Sequence, residues 1–142
     1  MQRTASAVWN GTLKDGKGTI STQSGTLKDT QYSFLTRFES GVGTNPEELI
    51  AAAHAGCFTM ALSAQLTGSG LTPAKLETTA DATFVKTDAG FTITKIVLTT
   101  TASVPGATPE SFAKAAAEAK AGCPISRLFA GNTEIVLDAK LV

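Results

Sequence analysis

Two cysteines stand in sequence contexts that activate a thiol. Cys57 lies near the end of segment 45–58, which is typical of a capped and nearly all-apolar helix, and Cys123 lies between Gly122 and Pro124. Because glycine favours the position after a helix and proline the first position inside one, Cys123 is predicted to cap a helix N-terminus. The N–H groups and the dipole of such a terminus favour a thiolate over a thiol. Two cysteines of this kind indicate redox chemistry.

The composition is that of a small neutral protein with a core of its own. A chain of 142 residues with 42% apolar content is predicted to form one domain over residues 1–142 without needing a disulfide to fold. Twelve basic side chains balance twelve acidic ones, so nucleic acid and anionic membranes are not expected as partners. The N-terminal segment has no apolar stretch of the signal-peptide type, which favours a cytoplasmic location. Cysteines are normally reduced there, so transient or catalytic use is expected.

The pattern of elements predicts an α+β fold. Alternating polar and apolar residues predict strands at 3–12, 17–22, 32–38, 75–87, 91–104 and 133–141. Asn45 is expected to cap a long helix from Pro46 to Gly68, and further helices are expected at 109–122 and after Pro124. This order lacks a regular β-α-β alternation. We therefore expect antiparallel sheets with helices on one face and a long buried central helix.

The central helix contains a stretch, Leu49 to Leu66, that carries no formal charge and is just long enough to span a membrane. His54 and Gln65 within it, and the strand-like segments on either side, favour a helix buried inside a soluble protein. Many of its residues would let a neighbouring backbone approach closely, namely Ala51, Ala52, Ala53, Ala55, Gly56, Ala61 and Ala64. A short chain has little material to surround such a helix, so a second subunit is expected to cover it.

Four separated blocks of sequence resemble one known family. They are 17–22, 32–39, 43–58 and 121–124. Together they resemble the OsmC/Ohr family of thiol peroxidases, and more closely its OsmC branch of osmotically inducible proteins. The resemblance implies an intertwined homodimer that has two active sites at the subunit interface and reduces organic hydroperoxides. The implied reductant is a dithiol, and lipoyl-type dithiols serve the better-studied branch.

The same resemblance implies roles for four residues. Cys57 matches the peroxidatic cysteine and Cys123 the resolving cysteine. Arg37 matches the arginine that activates the thiol, and Glu47 matches the carboxylate that holds the arginine. No cofactor is implied. No metal is expected, because a zinc site built from Cys57, Cys123 and His54 would lack a fourth ligand.

These roles agree with general thiol chemistry. Attack on the O–O bond of a hydroperoxide requires a thiolate, and burial in an apolar setting raises the pKa of a thiol. A fixed cation reverses that effect, and Glu47 could orient the Arg37 guanidinium through a two-point contact. Attack would leave Cys57 as a sulfenic acid, with which Cys123 could condense to a disulfide.

Each assignment has a simpler structural alternative. A cysteine on an alanine-rich helix is usually a small packing residue, and Cys123 could be a helix cap alone. Arg37 could pair with Glu39 at the surface, and Glu47 could serve only the helix dipole. In that case the chain would be a dimeric small-molecule-binding module whose cysteines line an apolar pocket. A redox sensor is a third possibility, although the sequence resembles no DNA-binding or output element.

His54 lies one helical turn before Cys57. That spacing suggests a Cys–His pair, but a catalytic base usually has an orienting partner and the sequence shows none. His54 is therefore interpreted as a packing residue.

Helix geometry predicts that Glu47 serves the cysteine of a partner chain. Glu47 and Cys57 are expected on one continuous helix, where a rise of about 1.5 Å per residue separates them by about 15 Å along the axis. They cannot share a site within one straight helix. Either the helix is broken, with Gly56 as its one weak point, or two such helices pack across a dimer axis. We expect the second arrangement, in which Glu47, together with Arg37, completes the site of the partner subunit.

Overall fold

The computed structural model describes every residue from Met1 to Val142. The chain divides into two compact units, Met1–Leu49 and Ile50–Val142. The prediction of one domain over residues 1–142 stays a prediction.

The N-terminal unit is built on a three-stranded antiparallel sheet. Its strands are β1 (Ala5–Asn10), β2 (Lys17–Thr22) and β3 (Thr30–Ser33), paired in the order β1-β2-β3. Trp9 and Tyr32 on the outer strands contact each other across Gly18 of the central strand, with ring centroids 5.3 Å apart. A Cβ at Gly18 would overlap both rings, so the aromatic contact requires glycine there.

A helical turn replaces the second half of the predicted third strand. Helix α1 (Phe34–Phe38) begins after Ser33. Ser33 Oγ accepts a hydrogen bond from Thr36 N–H (3.3 Å), and Thr36 Oγ1 accepts one from Ser33 N–H (2.9 Å). This reciprocal cap stabilises a turn although the alternating aromatic and polar residues predict a strand. The prediction of a strand over 32–38 was therefore wrong beyond Ser33, and Arg37 lies in a helix.

Helix α2 (Pro46–Gly68) is the long helix that the sequence predicts. Asn45 Oδ1 accepts a hydrogen bond from Glu48 N–H (2.8 Å), which confirms Asn45 as its N-cap. One face of α2 is fully buried within the C-terminal unit and carries His54, Phe58, Leu62 and Leu66. These side chains are four residues apart and therefore share one side of the helix.

The opposite face of α2 is apolar but exposed. It carries Ala52, Ala53, Gly56, Met60 and Ala64, and Met60 is 76% exposed. We expected a helix buried on nearly every side, whereas within one chain only one side is buried. By length and composition α2 is the one helix that could cross a membrane. Its buried face packs in the core of the C-terminal unit.

The C-terminal unit holds a second three-stranded sheet. Its strands are β4 (Lys75–Thr87), β5 (Gly90–Ser103) and β6 (Glu134–Leu141), in the order β4-β5-β6. Strands β4 and β5 form the predicted antiparallel hairpin, but β6 pairs with β5 in parallel. Two helices, α3 (Pro109–Gly122) and α4 (Pro124–Phe129), lie between β5 and β6. They return the chain to the end of the sheet at which β5 began, so β6 runs in the same direction as β5. The predicted α+β class is confirmed, with this one parallel pair.

Removal of one core side chain tests the packing of α2. Leu62 is fully buried, so Leu62→Ala should lower the free energy of unfolding by about 2–5 kcal/mol, because apolar contact is lost and a cavity is left. Leu128→Ala removes the same atoms from a residue that is 71% exposed and should change the free energy by less than about 0.5 kcal/mol. Urea denaturation at one fixed protein concentration measures both. Equal effects would contradict the placement of Leu62 in the core.

Candidate active site

The structure brings Cys57 and Cys123 together in the C-terminal unit. Cys57 lies on α2 and is half-buried, and Cys123 lies between α3 and α4 and is fully buried. Their Sγ atoms are 3.0 Å apart, although the two residues are 66 positions apart in the sequence, and both are free thiols. Since an S–S bond is about 2.05 Å long, the two sulfur atoms are within about 1 Å of bonding distance.

Cys123 occupies the junction of two helices. Its N–H donates to the Ala119 carbonyl in the last turn of α3 (2.9 Å), and its carbonyl accepts from Arg127 N–H in α4 (3.0 Å). Gly122 ends α3 and Pro124 opens α4, as the sequence predicts. The prediction that Cys123 caps a helix N-terminus is therefore confirmed.

The surroundings of Cys123 favour its thiolate. Burial raises the pKa of this thiol, but the hydrogen bond with the Cys57 thiol opposes burial. The N–H and hydroxyl groups of Ser126 and the N–H group of Ile125 act in the same direction as Cys57. Together these donors outweigh burial and hold the pKa of Cys123 below its ordinary value.

The surroundings of Cys57 favour its neutral thiol. Burial raises the pKa of Cys57, the contact with Cys123 raises it further, and the Ile125 N–H only partly opposes them. When both groups are thiols, Cys123 Sγ donates to Cys57 Sγ across the 3.0 Å contact. The directions of the two pKa shifts mean that Cys123 is the first of the pair to lose its proton, and the Cys57 thiol can then donate to the Cys123 thiolate. Cys57 therefore requires an added positive charge to be a thiolate at neutral pH.

Arg37 and Glu47 form an ion pair within the N-terminal unit. Arg37 Nε donates to both carboxylate oxygens of Glu47, at 3.1 and 3.3 Å, and Nη2 donates to Oε1 at 2.9 Å. Glu47 lies in the first turn of α2 and is 9% exposed, whereas the Arg37 side chain is 38% exposed. The guanidinium carbon also lies 5.4 Å from the ring centroid of Phe38. The two-point contact with a buried carboxylate fixes the orientation of the guanidinium.

Known proteins share both the sequence and the fold of this chain. The family model described as OsmC-like protein matches residues 39–138. The chain belongs to the OsmC-like family. It is 53% identical over 135 residues to the Peroxiredoxin OsmC of Escherichia coli (strain K12), and the match covers 95% of this chain and 93% of that protein.

Solved structures of the OsmC-like type have the same fold. The organic hydroperoxide resistance protein OhrB of Bacillus subtilis is 25% identical, with a TM-score of 0.72 over 96% of this chain and 98% of that chain. An OsmC-like protein of Mycoplasma pneumoniae has a TM-score of 0.80 over 100% of this chain and 98% of that chain. It is 16% identical and therefore shows the fold alone. The family resemblance predicted from four sequence blocks is confirmed, and the chain is a peroxidase.

In this OsmC-like chain, Arg37 borders an apolar cavity of the N-terminal unit. The cavity has a volume of about 270 Å³ and is lined beside Arg37 by Trp9, Leu13, Tyr32, Ser33, Phe34, Phe38 and Pro46. The rings of Phe34 and Phe38 lie 4.7 Å apart between centroids. An apolar wall with one guanidinium at its edge suits a ligand that combines a hydrocarbon part with a polar group.

The OsmC-like chain also has a buried contact that the sequence reasoning missed. His54 Nε2 lies 2.8 Å from Ser126 Oγ, and the ring is fully buried. The sequence showed no partner for His54, and the structure supplies one in Ser126. A signal for this contact was present, because His54 precedes Cys57 by the same interval at which Cys123 precedes Ser126. Two segments that meet at their cysteines also meet one helical turn away.

Proposed function

We propose that this peroxidase reduces organic hydroperoxides with Cys57 as the peroxidatic and Cys123 as the resolving cysteine. The observation that carries the proposal is the 3.0 Å contact between a half-buried and a fully buried thiol. The partly exposed thiol can meet a substrate, and the buried one can react only with its neighbour. The names of the two relatives, a peroxiredoxin and an organic hydroperoxide resistance protein, support the substrate class.

The reaction has three steps in this proposal. The Cys57 thiolate attacks the outer oxygen of the hydroperoxide, the O–O bond breaks, and the alkoxide takes a proton and leaves as an alcohol. Cys57 is then a sulfenic acid. The Cys123 sulfur attacks the Cys57 sulfur, the S–O bond breaks, and water leaves as the disulfide forms. An external dithiol of the lipoyl type reduces this disulfide and becomes a disulfide itself.

Arg37 supplies the positive charge that Cys57 requires, and Glu47 orients it. Helix α2 is continuous from Pro46 to Gly68, so a rise of about 1.5 Å per residue separates Glu47 from Cys57 by about 15 Å along the axis. One straight helix cannot bring both residues to one reacting centre. The proposal is therefore that the Arg37–Glu47 pair of one chain serves Cys57 of the partner.

The proposed assembly is a homodimer that packs through α2. The exposed face of α2 offers small side chains, so a second α2 can approach closely. Burial of this face would also remove Met60, which is 76% exposed, from water. The second subunit expected from the sequence would thus complete both the core helix and the catalytic site.

The apolar cavity beside Arg37 is the proposed site of the hydrocarbon part of the substrate. Its walls are largely apolar and favour a hydrocarbon group, so an alkyl or aryl hydroperoxide should react faster than hydrogen peroxide. A cytoplasmic location is also part of the proposal, because cysteines that must return to thiols suit a reducing compartment.

One assay tests the function. The reduced protein is treated in parallel with tert-butyl hydroperoxide and with hydrogen peroxide, and its thiols are counted before and after addition of dihydrolipoamide. We expect loss of both thiols, faster with the organic hydroperoxide, and multiple turnovers once the dithiol is present. A small-molecule-binding module would keep its thiols and consume no peroxide.

Subunit exchange tests the placement of the Arg37–Glu47 pair. Cys57→Ser and Glu47→Ala chains should each be nearly inactive alone, and mixed dimers should recover about one working site, because the Cys57→Ser chain donates its intact Glu47. Steady-state turnover of purified, differently tagged heterodimers measures the recovery. The matched control pairs Cys57→Ser with the double variant Cys57→Ser/Glu47→Ala, a dimer that has no Cys57 thiol to rescue. An inactive but verified heterodimer would place both residues of one chain in one site.

A further inference from the structure

Two matched contacts join α2 to the junction of α3 and α4. The Sγ atoms of Cys57 and Cys123 are 3.0 Å apart, and one helical turn away His54 Nε2 lies 2.8 Å from Ser126 Oγ. Ser126 is in the first turn of α4, the helix that Cys123 caps, so its hydroxyl contacts the histidine ring on the same helical turn as the resolving cysteine. The interaction of this hydroxyl with the Cys123 sulfur helps to stabilise the thiolate.

His54 is costly as a packing residue. Its ring is 0% exposed, and its Nδ1 atom is buried without a hydrogen-bond partner. A buried polar atom that lacks a partner destabilises the folded chain, and an apolar side chain of similar size would avoid that cost. An unpartnered buried nitrogen is unusual in a native protein and calls for an explanation. Because His54 lies one helical turn from Cys57, we look for that explanation in the chemistry of the cysteines.

The ring of His54 is neutral at rest and therefore has one nitrogen atom that can accept a proton. Burial lowers the pKa of His54, so the imidazole is neutral at rest. In the tautomer that carries its proton on Nδ1, Nε2 accepts a hydrogen bond from the Ser126 hydroxyl. That hydroxyl can in turn accept a proton from the Cys123 thiol. The contact with Phe129, whose ring centroid lies 5.9 Å from that of His54, keeps the imidazole in place.

We infer that Ser126 passes the proton of Cys123 to His54 when the disulfide closes, so that His54 is a positioning residue for the resolving step. The inference rests on the proposed function. The Cys123 thiol gives its proton to Ser126 Oγ, and the Ser126 hydroxyl proton moves to His54 Nε2. The freed sulfur electron pair forms the bond to Cys57 while the S–O bond of the sulfenic acid breaks. The leaving hydroxide takes a proton from solvent, His54 later returns its own, and the net products are one disulfide and one water.

Cys123 needs a proton acceptor more during the resolving step than in the resting protein. In the reduced protein, the Cys57 thiol donates a hydrogen bond that stabilises the Cys123 thiolate. Oxidation replaces that S–H donor with a sulfenic acid. Its oxygen must lie opposite the attacking Cys123 sulfur for the S–O bond to break, so its O–H group cannot donate to Cys123 during this step. The Ser126 hydroxyl is then the side-chain group that remains beside the Cys123 sulfur, and its proton relay leads to His54.

Single-turnover kinetics of His54→Gln test the inference. The Gln amide can keep a hydrogen bond to Ser126 Oγ but cannot take up a proton. With tert-butyl hydroperoxide, dimedone trapping should detect Cys57 sulfenic acid at the wild-type rate, while disulfide formation in acid-quenched samples should slow at least about tenfold. Over-oxidised Cys57 should accumulate accordingly.

Variants of Ser126 separate the relay from simple packing. Ser126→Ala should slow disulfide formation as much as His54→Gln does, and Ser126→Thr, which keeps the hydroxyl, should restore it. A wild-type rate of disulfide formation in His54→Gln would overturn the proton relay, even if Ser126→Ala were slow. A wild-type protein whose Cys57 is never oxidised by the hydroperoxide would instead overturn the proposed function.

Discussion

One equivalent of tert-butyl hydroperoxide should convert Cys57 and Cys123 of each chain into an intrasubunit disulfide. The 3.0 Å Sγ contact leaves about 1 Å of movement to the bonded distance. Mass spectrometry of the non-reduced digest should find the two cysteine peptides linked, and the intact mass should correspond to one chain. Cys57→Ser should lose all turnover, because no other thiol of the chain can begin the reaction.

Substitution of each cysteine should impair the reaction at a different step. Cys123→Ser keeps the peroxidatic thiol, so it should consume the first equivalent of hydroperoxide and then accumulate sulfinic and sulfonic acid at Cys57. Cys57→Ser should consume none and keep Cys123 as a thiol. An intersubunit or mixed disulfide as the main product of the unmodified chain would contradict the assignment of Cys123 as the resolving residue.

Arg37→Ala should nearly abolish peroxidase turnover. A cation beside a thiol lowers the thiol pKa by roughly 1–3 units, and burial already raises the pKa of Cys57. Without the guanidinium the pKa of Cys57 should rise further, so alkylation by iodoacetamide at pH 7 should slow roughly ten- to thousandfold. The rates of variant and unmodified protein should converge at alkaline pH, where both hold a thiolate.

Two further variants show whether charge or geometry matters. Arg37→Lys keeps the positive charge but cannot make the two-point contact with Glu47. It should therefore recover part of the alkylation rate and less of the turnover. Arg3→Ala, at an exposed arginine of the same unit, should change neither. Unchanged alkylation of Cys57 in Arg37→Ala would mean that another group activates the thiol.

Local sequence signals predict the helices of this chain well. Asn45 accepts the expected cap bond, and α2 ends at Gly68 as predicted. Gly122 and Pro124 place Cys123 at a helix junction, also as predicted. These boundaries depend on caps and breakers within a few residues, so they are visible without the fold.

Local signals fail where two of them compete. Residues 32–38 alternate aromatic and polar side chains, which predicts a strand, but Ser33 and Thr36 cap each other and start a helix. The prediction of antiparallel sheets also missed the parallel pairing of β6 with β5, for a different reason. It depends on the path of two helices between the strands, which no single segment of sequence describes.

The sequence by itself determined the family and the α+β class, because both depend on residue types within short blocks, and through the family resemblance it pointed to the four residues of the proposed chemistry. Only the tertiary structure decided which side chains meet. The Cys57–Cys123 contact spans 66 residues and the His54–Ser126 contact spans 72. Such distances are set by how α2 packs against the α3–α4 junction, so sequence spacing could suggest the two pairs but could not place their atoms within hydrogen-bonding distance.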